Sequence, residues 1–167
     1  MAALLCALAL TCALAGCGGG GSSTSEARLA PAVHRHAEAI CREFDRELVA
    51  IGHGALANPP HTTLELTTQR LVKPTIPVLE KTAARLQALQ GQAGNASFEL
   101  FSNLFDPAIV LAEKRLKAGE EEDYERSHGL EEQLTNLSET QRRAARNAGL
   151  AACDIDFPSV LLKSLSE

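Results

Sequence analysis

The stretch AEAICREFDREL, residues 37–48, predicts a helix with one apolar face. Its apolar residues recur at intervals of three and four, at Ala37, Ile40, Cys41, Phe44 and Leu48. This period places them on one stripe of an α-helix, while the charged residues between them lie largely off it. The stripe continues on both sides, which predicts a first helix over about residues 26–51. Cys41 is therefore expected to face the protein core.

Three further segments show the same period and are rich in good helix formers. They predict a second helix over about residues 63–90, a third over about residues 96–118, and a fourth that begins in the acidic run 120–123. Gly119 is expected to separate the last two helices, and Tyr124 is expected on the apolar stripe of the fourth. Four amphipathic helices with short polar joins predict an all-α fold, an antiparallel four-helix bundle.

Prolines predict irregularity in this bundle. Pro74 and Pro77 each remove a backbone donor and crowd the preceding turn, so the second helix is predicted to be kinked or broken between Val72 and Pro77. Broken helices inside a bundle can open a groove for a ligand, and they can equally be packing kinks. Pro107 predicts a bend in the third helix. Pro158, in the apolar tail, predicts the start of a short C-terminal helix.

The N-terminal fifteen residues contain no charge and consist mainly of Leu, Ala and Cys. This run is shorter than the roughly 20 residues of a bilayer span and matches the apolar region of a secretory signal. It ends at Leu14-Ala15-Gly16-Cys17, which resembles the lipobox of bacterial lipoproteins. The resemblance implies cleavage before Cys17 and lipidation of Cys17 with a diacylglycerol thioether and palmitate-type acyl chains. An ordinary secretory signal or a buried helix is the alternative.

The resulting domain organisation has three parts. Residues 1–16 are the predicted lipoprotein signal peptide, and residues 17–25 form a predicted flexible Gly/Ser tether. Residues 26–167 form one predicted helical bundle domain, long enough for a hydrophobic core of its own.

Cysteine usage predicts one disulfide. Of the five cysteines, Cys6 and Cys12 leave with the signal, and Cys17 is lipidated under the lipobox interpretation. Cys41 and Cys153 remain as an even pair in an exported, oxidising setting, which predicts a bond between them. Two free thiols are the alternative. The sequence contains no Cys-x-x-Cys, so thioredoxin-like chemistry has no support.

A cysteine in the first helix (AEAICREFDREL) and one after the last (AARNAGLAACDIDF) are similar to the pattern of a group of exported bacterial lipoproteins. The resemblance covers most of residues 33–157. It implies a fold and a location, and it carries no activity to this chain.

Candidate metal ligands are few and weakly patterned. Glu125 and His128 have the Glu-x-x-His spacing that places two ligands on one helix face, but a ferritin-like site needs a second copy. His34 and His36 point to different sides of a helix, about 200° apart, and with Glu38 they are candidates for a weak surface site. A solvated helix face explains both groups equally, so no metal and no other cofactor is predicted.

Other function classes lack support. No Gly-x-Ser-x-Gly elbow or phosphate-binding loop occurs in a suitable place, so no enzyme activity is predicted. A net charge of −5 and an aromatic content of 4% disfavour nucleic acid as a partner.

The sequence therefore predicts a non-enzymatic lipoprotein held on the extracytoplasmic face of the cell membrane by the lipid on Cys17. It would bind an unknown protein or small ligand. The alternative is a bundle that carries a metal or a small ligand. A deep apolar pocket between the broken helices would favour a small-molecule carrier.

Overall fold

The computed structural model describes residues 28–55, 57 and 62–163, and within these residues the chain is helical and contains no strand. The α-helices run over α1 Pro31–Ala55, α2 Lys73–Gln87, α3 Gln90–Ala93, α4 Ala96–Asn103, α5 Phe105–Glu120, α6 Tyr124–Asn147 and α7 Phe157–Lys163. A π-helical segment, Glu65–Val72, leads directly into α2, and a 3-10 turn, Ala151–Cys153, follows α6.

Four rods form the predicted antiparallel bundle: α1, the π-helical segment with α2, α4 with α5, and α6. α1 packs on α2, α2 on α5, and α5 on α6. The ion pairs between the first two rods show their opposite directions, because Glu43 contacts both Lys81 and Arg85, whereas Glu47, one turn later, contacts Lys81. α7 and the 3-10 turn contact both α1 and α6, so the C-terminal segment joins the first rod to the last.

The predicted apolar stripes form the core. The largest fully buried apolar side chains are Phe98, Phe101, Phe105, Leu48, Leu79, Leu86 and Leu150. One predicted stripe position is wrong, since Tyr124 is 62% exposed. α6 begins at Tyr124, after the acidic run and not within it. The last residue of the run, Asp123, caps the first turn, because its side chain accepts from the N–H of Arg126. Tyr124 is thus the first residue of its helix and stands at the end of the rod.

The second rod is bent rather than interrupted. Its winding changes from π to α at Val72, and the N–H of Lys73 donates to the carbonyl of Thr68, five residues back. Pro74 and Pro77 both lie within this continuous rod, where each removes one backbone donor from the helical hydrogen bonding. Hydroxyls of buried threonines satisfy carbonyls in this irregular stretch, and the shortest of these bonds runs from Thr68 Oγ1 to the Leu64 carbonyl at 2.6 Å.

The third rod is interrupted by one residue, Leu104, between α4 and α5, three residues before the proline that predicted a bend. Pro107 has no N–H to donate to the carbonyl of Asn103, which is where α4 ends. Pro107 instead occupies the first turn of α5, a position that suits its fixed backbone angle. Pro107 therefore disturbs the helical hydrogen bonding of the turn that precedes it.

Gly119 does not separate two helices, contrary to the sequence-based expectation, because it lies inside α5. A Cβ atom at this position would lie 2.6 Å from the Cβ of Thr68 in the π-helical segment, closer than real Cβ contacts. The glycine is therefore needed for close approach of two rods, and it lets the wide π turns pack against α5.

The predicted disulfide is confirmed, with the sulfur atoms of Cys41 and Cys153 2.02 Å apart. The chain turns back after α6 through Gly149, whose φ of 77° lies in the left-handed region. The backbone N–H of Ala152 then donates to a carboxylate oxygen of Glu38 at 3.1 Å. A covalent bond and a part-buried hydrogen bond thus hold the returning chain on α1.

The predictions for the N-terminus, the signal at residues 1–16, lipidation at Cys17 and the tether at 17–25, fall outside the described residues. Among the helices that the structure describes, none is both long enough and apolar enough to cross a bilayer.

Candidate functional site

A cavity lies where the π-helical segment meets α2, and α5, α6 and α7 close it on the other sides. Its volume is about 50 Å³, and its wall is mostly apolar. The lining residues are Thr67, Leu71, Val72, Thr75, Leu79, Ala112, Arg115, Glu131, Leu134, Phe157 and Pro158. A space of this size exceeds the roughly 10–15 Å³ that a single water needs.

The local sequence explains why space remains here. The change of winding at Val72 widens the second rod, and Thr75 turns its hydroxyl back to the Leu71 carbonyl at 2.7 Å. Thr75 therefore leaves mainly its methyl group for the cavity. Opposite it, α5 presents Ala112, whose side chain is too small to fill the gap. A π-helical segment is rare in proteins and frequently marks a functional site.

Two charged residues, Arg115 and Glu131, line the cavity, and the Arg115 side chain is only 12% exposed. Its Nη2 atom contacts Glu131 Oε2 at 2.9 Å. Its Nε atom is buried and has no hydrogen-bond partner among the described residues. Burial lowers the pKa of Arg115 from its usual value, although the adjacent Glu131 carboxylate opposes this shift. The guanidinium is thus paired with one carboxylate, and one of its buried donors has no acceptor among the described residues.

A surface groove of about 210 Å³ adjoins the cavity. It is lined by Thr63, Leu64, Thr67, Arg115, Tyr124, Ser127, His128 and Glu131. Thr67, Arg115 and Glu131 line both spaces, so the ion pair stands at the boundary between the groove and the cavity. The exposed Tyr124 ring belongs to the wall of this groove.

The candidate ligands His34 and Glu38 contact different parts of the chain. His34 Nε2 lies 3.0 Å from the carbonyl oxygen of Gly149, so it donates to the end of α6. Glu38 accepts from Ala152 and pairs with Arg42 on its own helix, at 3.2 Å. His36 is exposed.

The other candidate pair, Glu125 and His128, lies on the exposed side of α6. Glu125 is exposed, and His128 Nδ1 lies 3.7 Å from Glu132, with both of those side chains about 70% exposed. In the part of the chain that the structure describes, no group of three His, Cys, Asp or Glu side chains is arranged to hold a metal ion.

Sequence reasoning singled out Val72–Pro77 as irregular, and Val72 and Thr75 do line the cavity, but it missed Arg115. A signal for Arg115 was present. Ala112 follows Ala108 by four residues, and Arg115 follows Ala112 by three. Arg115 therefore occupies a position on the buried stripe of its helix. An arginine on such a stripe indicates either a buried ion pair or a ligand contact.

The chain matches no known family model, and no curated protein or solved structure is significantly similar to it.

Proposed function

We propose that this protein is a non-enzymatic lipoprotein that binds a small, mainly apolar ligand in the cavity between the π-helical segment, α5 and α6. The observation that carries the proposal is the mostly apolar cavity beside the Pro-containing bend, with the ion pair of Arg115 and Glu131 in its wall. Ligand sites are mostly apolar and carry a few polar groups that fix orientation. This cavity has that composition.

The chemistry of the wall favours an organic ligand over a metal ion. Arg115 is a cation, and its N–H groups are donors without acceptor capacity, so they repel a metal and attract an acceptor or anion. The threonine hydroxyls Thr67 and Thr75 donate to backbone carbonyls of their own rod, which leaves apolar surface toward the cavity.

A small ligand also suits the described surface better than a docked protein. The large apolar side chains that are exposed on this part of the chain are Leu100, Val110 and Tyr124. Each lies on a different helix, whereas docking surfaces are usually contiguous apolar patches. The function therefore centres on the cavity and its groove.

Binding in the cavity is tested with Ala112→Leu, which fills the space from its α5 wall. We expect 1-hexanol to cause saturable chemical-shift changes in the backbone amides of residues 71–73 and 75 in the parent protein, and we expect Ala112→Leu to weaken this binding about tenfold or more. The full chain with Cys17→Ala is the parent, because it keeps every described residue and lacks the proposed lipidation site.

Ala84→Leu is the matched control, since Ala84 is exposed on α2. It is expected to bind 1-hexanol like the parent. Thr67→Leu, at the junction of cavity and groove, is a second filling variant in case Ala112→Leu overpacks the core. Failure of the parent to bind 1-hexanol, or equal binding by the parent and both filling variants, would overturn the proposed function.

We further propose that a lipid on Cys17 anchors the protein on the extracytoplasmic face of the cell membrane. The support is the apolar run and the Leu-Ala-Gly-Cys sequence at its end. Two or more acyl chains give stable membrane anchoring, whereas one chain gives marginal binding.

The anchor is tested by Cys17→Ala in the full chain expressed in a bacterial host. We expect the parent sequence to be recovered in the membrane fraction with the mass of an acylated Cys17 N-terminus, and the variant to leave that fraction. Leu100→Ala, which keeps Cys17 and changes a side chain that is 50% exposed, is the control for an effect of substitution as such. Retention of Cys17→Ala in the membrane fraction would contradict the anchor.

A further inference from the structure

We propose that α7 is a lid on the cavity, and that its displacement opens a seam between α1 and α6 through which a small ligand enters and leaves. The disulfide at Cys153 fixes the root of the lid, and the irregular residues 154–156 form its hinge. This inference rests on the proposed function and adds how access to the cavity is controlled. It is carried by the place of α7 in the bundle, by its part in the cavity wall and by the way it is attached.

The first step of the argument concerns the place of α7 in the bundle. The first rod packs directly on the second, the second on the third and the third on the fourth. Among the described residues, α1 and α6 instead meet through the C-terminal segment, since the 3-10 turn and α7 each contact both helices. The seam between the first and last rods is therefore closed by a short separate piece of chain. Displacement of that piece exposes the interior of the bundle to solvent.

The second step concerns the cavity wall. Phe157 and Pro158, the first two residues of α7, line the cavity, and Phe157 is only 5% exposed. The rest of the wall belongs to the second rod, α5 and α6. Because α7 supplies part of the wall, the closed cavity exists only while α7 is in place. A ligand that occupies the cavity therefore binds the closed form.

The third step concerns how firmly α7 is held. The covalent link to α1 ends at Cys153, and the N–H of Ala152 donates to Glu38 just before it, at 3.1 Å. Beyond this point, Phe157 is the buried member of the α7 side chains that the structure describes, and its described neighbours are partly exposed. A segment with few buried contacts has low local stability, so it opens without unfolding of the rest.

Ion pairs hold the hinge on α6. Asp154 contacts Arg142 and Arg146, both at 2.8 Å, and Asp156 contacts Arg142 at 3.6 Å. These four side chains are between 28% and 50% exposed, and ion pairs with exposed members contribute little to stability. None of the four lines the cavity. Removal of these pairs therefore loosens the lid and leaves the cavity wall unchanged.

Hydrogen exchange on the Cys17→Ala full chain tests the opening itself. We expect the amides of residues 160–163 to share one level of protection, at least about a hundredfold below that of Leu134 and Ala145 in the core of α6. At ten times its dissociation constant, 1-hexanol is expected to raise the protection of all four amides about elevenfold, because it binds the closed form. Protection that falls steadily toward residue 163 and does not respond to 1-hexanol would show fraying of a chain end and overturn the lid.

The rate of ligand exchange tests the role of the opening. Relaxation dispersion at the amides of residues 71–73 and 75 measures how fast 1-hexanol enters and leaves. Asp154→Asn, which removes the charge at the hinge, is expected to raise both rates about threefold or more and to speed exchange of residues 160–163. The dissociation constant is expected to change less than about twofold, because the open form stays a minor population and the closed form is unaltered.

Two further variants keep this test specific. Arg146→Gln removes one ion pair from an arginine that is 50% exposed, and it serves if Asp154→Asn disturbs the fold. It is expected to raise both rates by a smaller factor. Glu121→Gln is the matched control, because Glu121 also contacts two cations, Lys117 and Arg126, and lies in the turn between α5 and α6. It is expected to leave the rates and the exchange of α7 unchanged.

The outcomes separate this inference from the proposed function. If 1-hexanol binds but residues 160–163 exchange only together with the core of α6, the lid is overturned while the cavity retains its role. The same holds if neither Asp154→Asn nor Arg146→Gln raises the rates. If Glu131→Gln raises them and Asp154→Asn does not, the ligand enters through the groove, which also overturns the lid. If 1-hexanol does not bind the parent, the proposed function fails and the lid fails with it.

Discussion

Removal of the disulfide is expected to lower the free energy of unfolding by about 5 kcal/mol, the largest effect among the changes considered. Cys41 and Cys153 are 112 residues apart in sequence. In the chain-entropy model, a cross-link that closes a loop of this length removes freedom from the unfolded chain worth about 5 kcal/mol. The bond also fixes the returning segment, including α7, against α1.

The measurement is urea unfolding of the Cys17→Ala chain, with and without Cys41→Ser and Cys153→Ser together. The oxidised parent is expected to unfold at a clearly higher urea concentration than the double variant. A reductant should bring the parent to the midpoint of the double variant and leave that variant unchanged. A shift below about 1 kcal/mol, or alkylation of both cysteines without prior reduction, would contradict the disulfide as a major stabilising link.

Phe105→Ala is expected to have the second largest effect, a loss of about 3–5 kcal/mol. Phe105 is 1% exposed. Its ring meets the edge or face of Phe44 at 5.7 Å and of Phe101 at 5.6 Å between ring centres. Such pairs add about 0.5–1.5 kcal/mol beyond the burial of their area. Because Phe44 lies on α1, the substitution also loosens the contact between the first and third rods.

Thermal and urea unfolding of the same parent measure this effect. Leu100→Ala is the matched control on the neighbouring helix α4, since Leu100 is 50% exposed and its truncation should cost less than about 0.5 kcal/mol. Phe105→Leu, which retains more volume, is expected to cost less than Phe105→Ala. Equal losses for Phe105→Ala and Leu100→Ala would show that the aromatic cluster does not organise the core.

Local patterns were sufficient for the helices and their buried faces. The intervals of three and four residues between Ala37, Ile40, Phe44 and Leu48 indicate helix winding directly, because every residue on that stripe contacts the same core. The pairing of Cys41 with Cys153 followed from counting, since the lipobox interpretation left these two of the five cysteines as a pair. Pro158 likewise predicted the start of a short helix from its own backbone preference.

Part of the candidate site could be anticipated and part could not. Prolines predicted a disturbance around Val72, and this is where the cavity lies. The disturbance takes the form of a π-helical segment, and this segment needs the space that Gly119 leaves for Thr68. Gly119 lies far along the chain from this segment. No local sequence pattern predicts that Gly119 and Thr68 lie close together.

The sequence by itself therefore determined the fold class, the four rods, the faces they bury and the cysteine pair, because these follow from periodicity and covalent chemistry within short stretches. Only the tertiary structure decided how the bend is wound, why Tyr124 is exposed and what surrounds Arg115. The physical reason is that a cavity and an unpartnered donor are properties of the space between rods. Residues from α2, α5 and α6 define that space together, and no single helix specifies it.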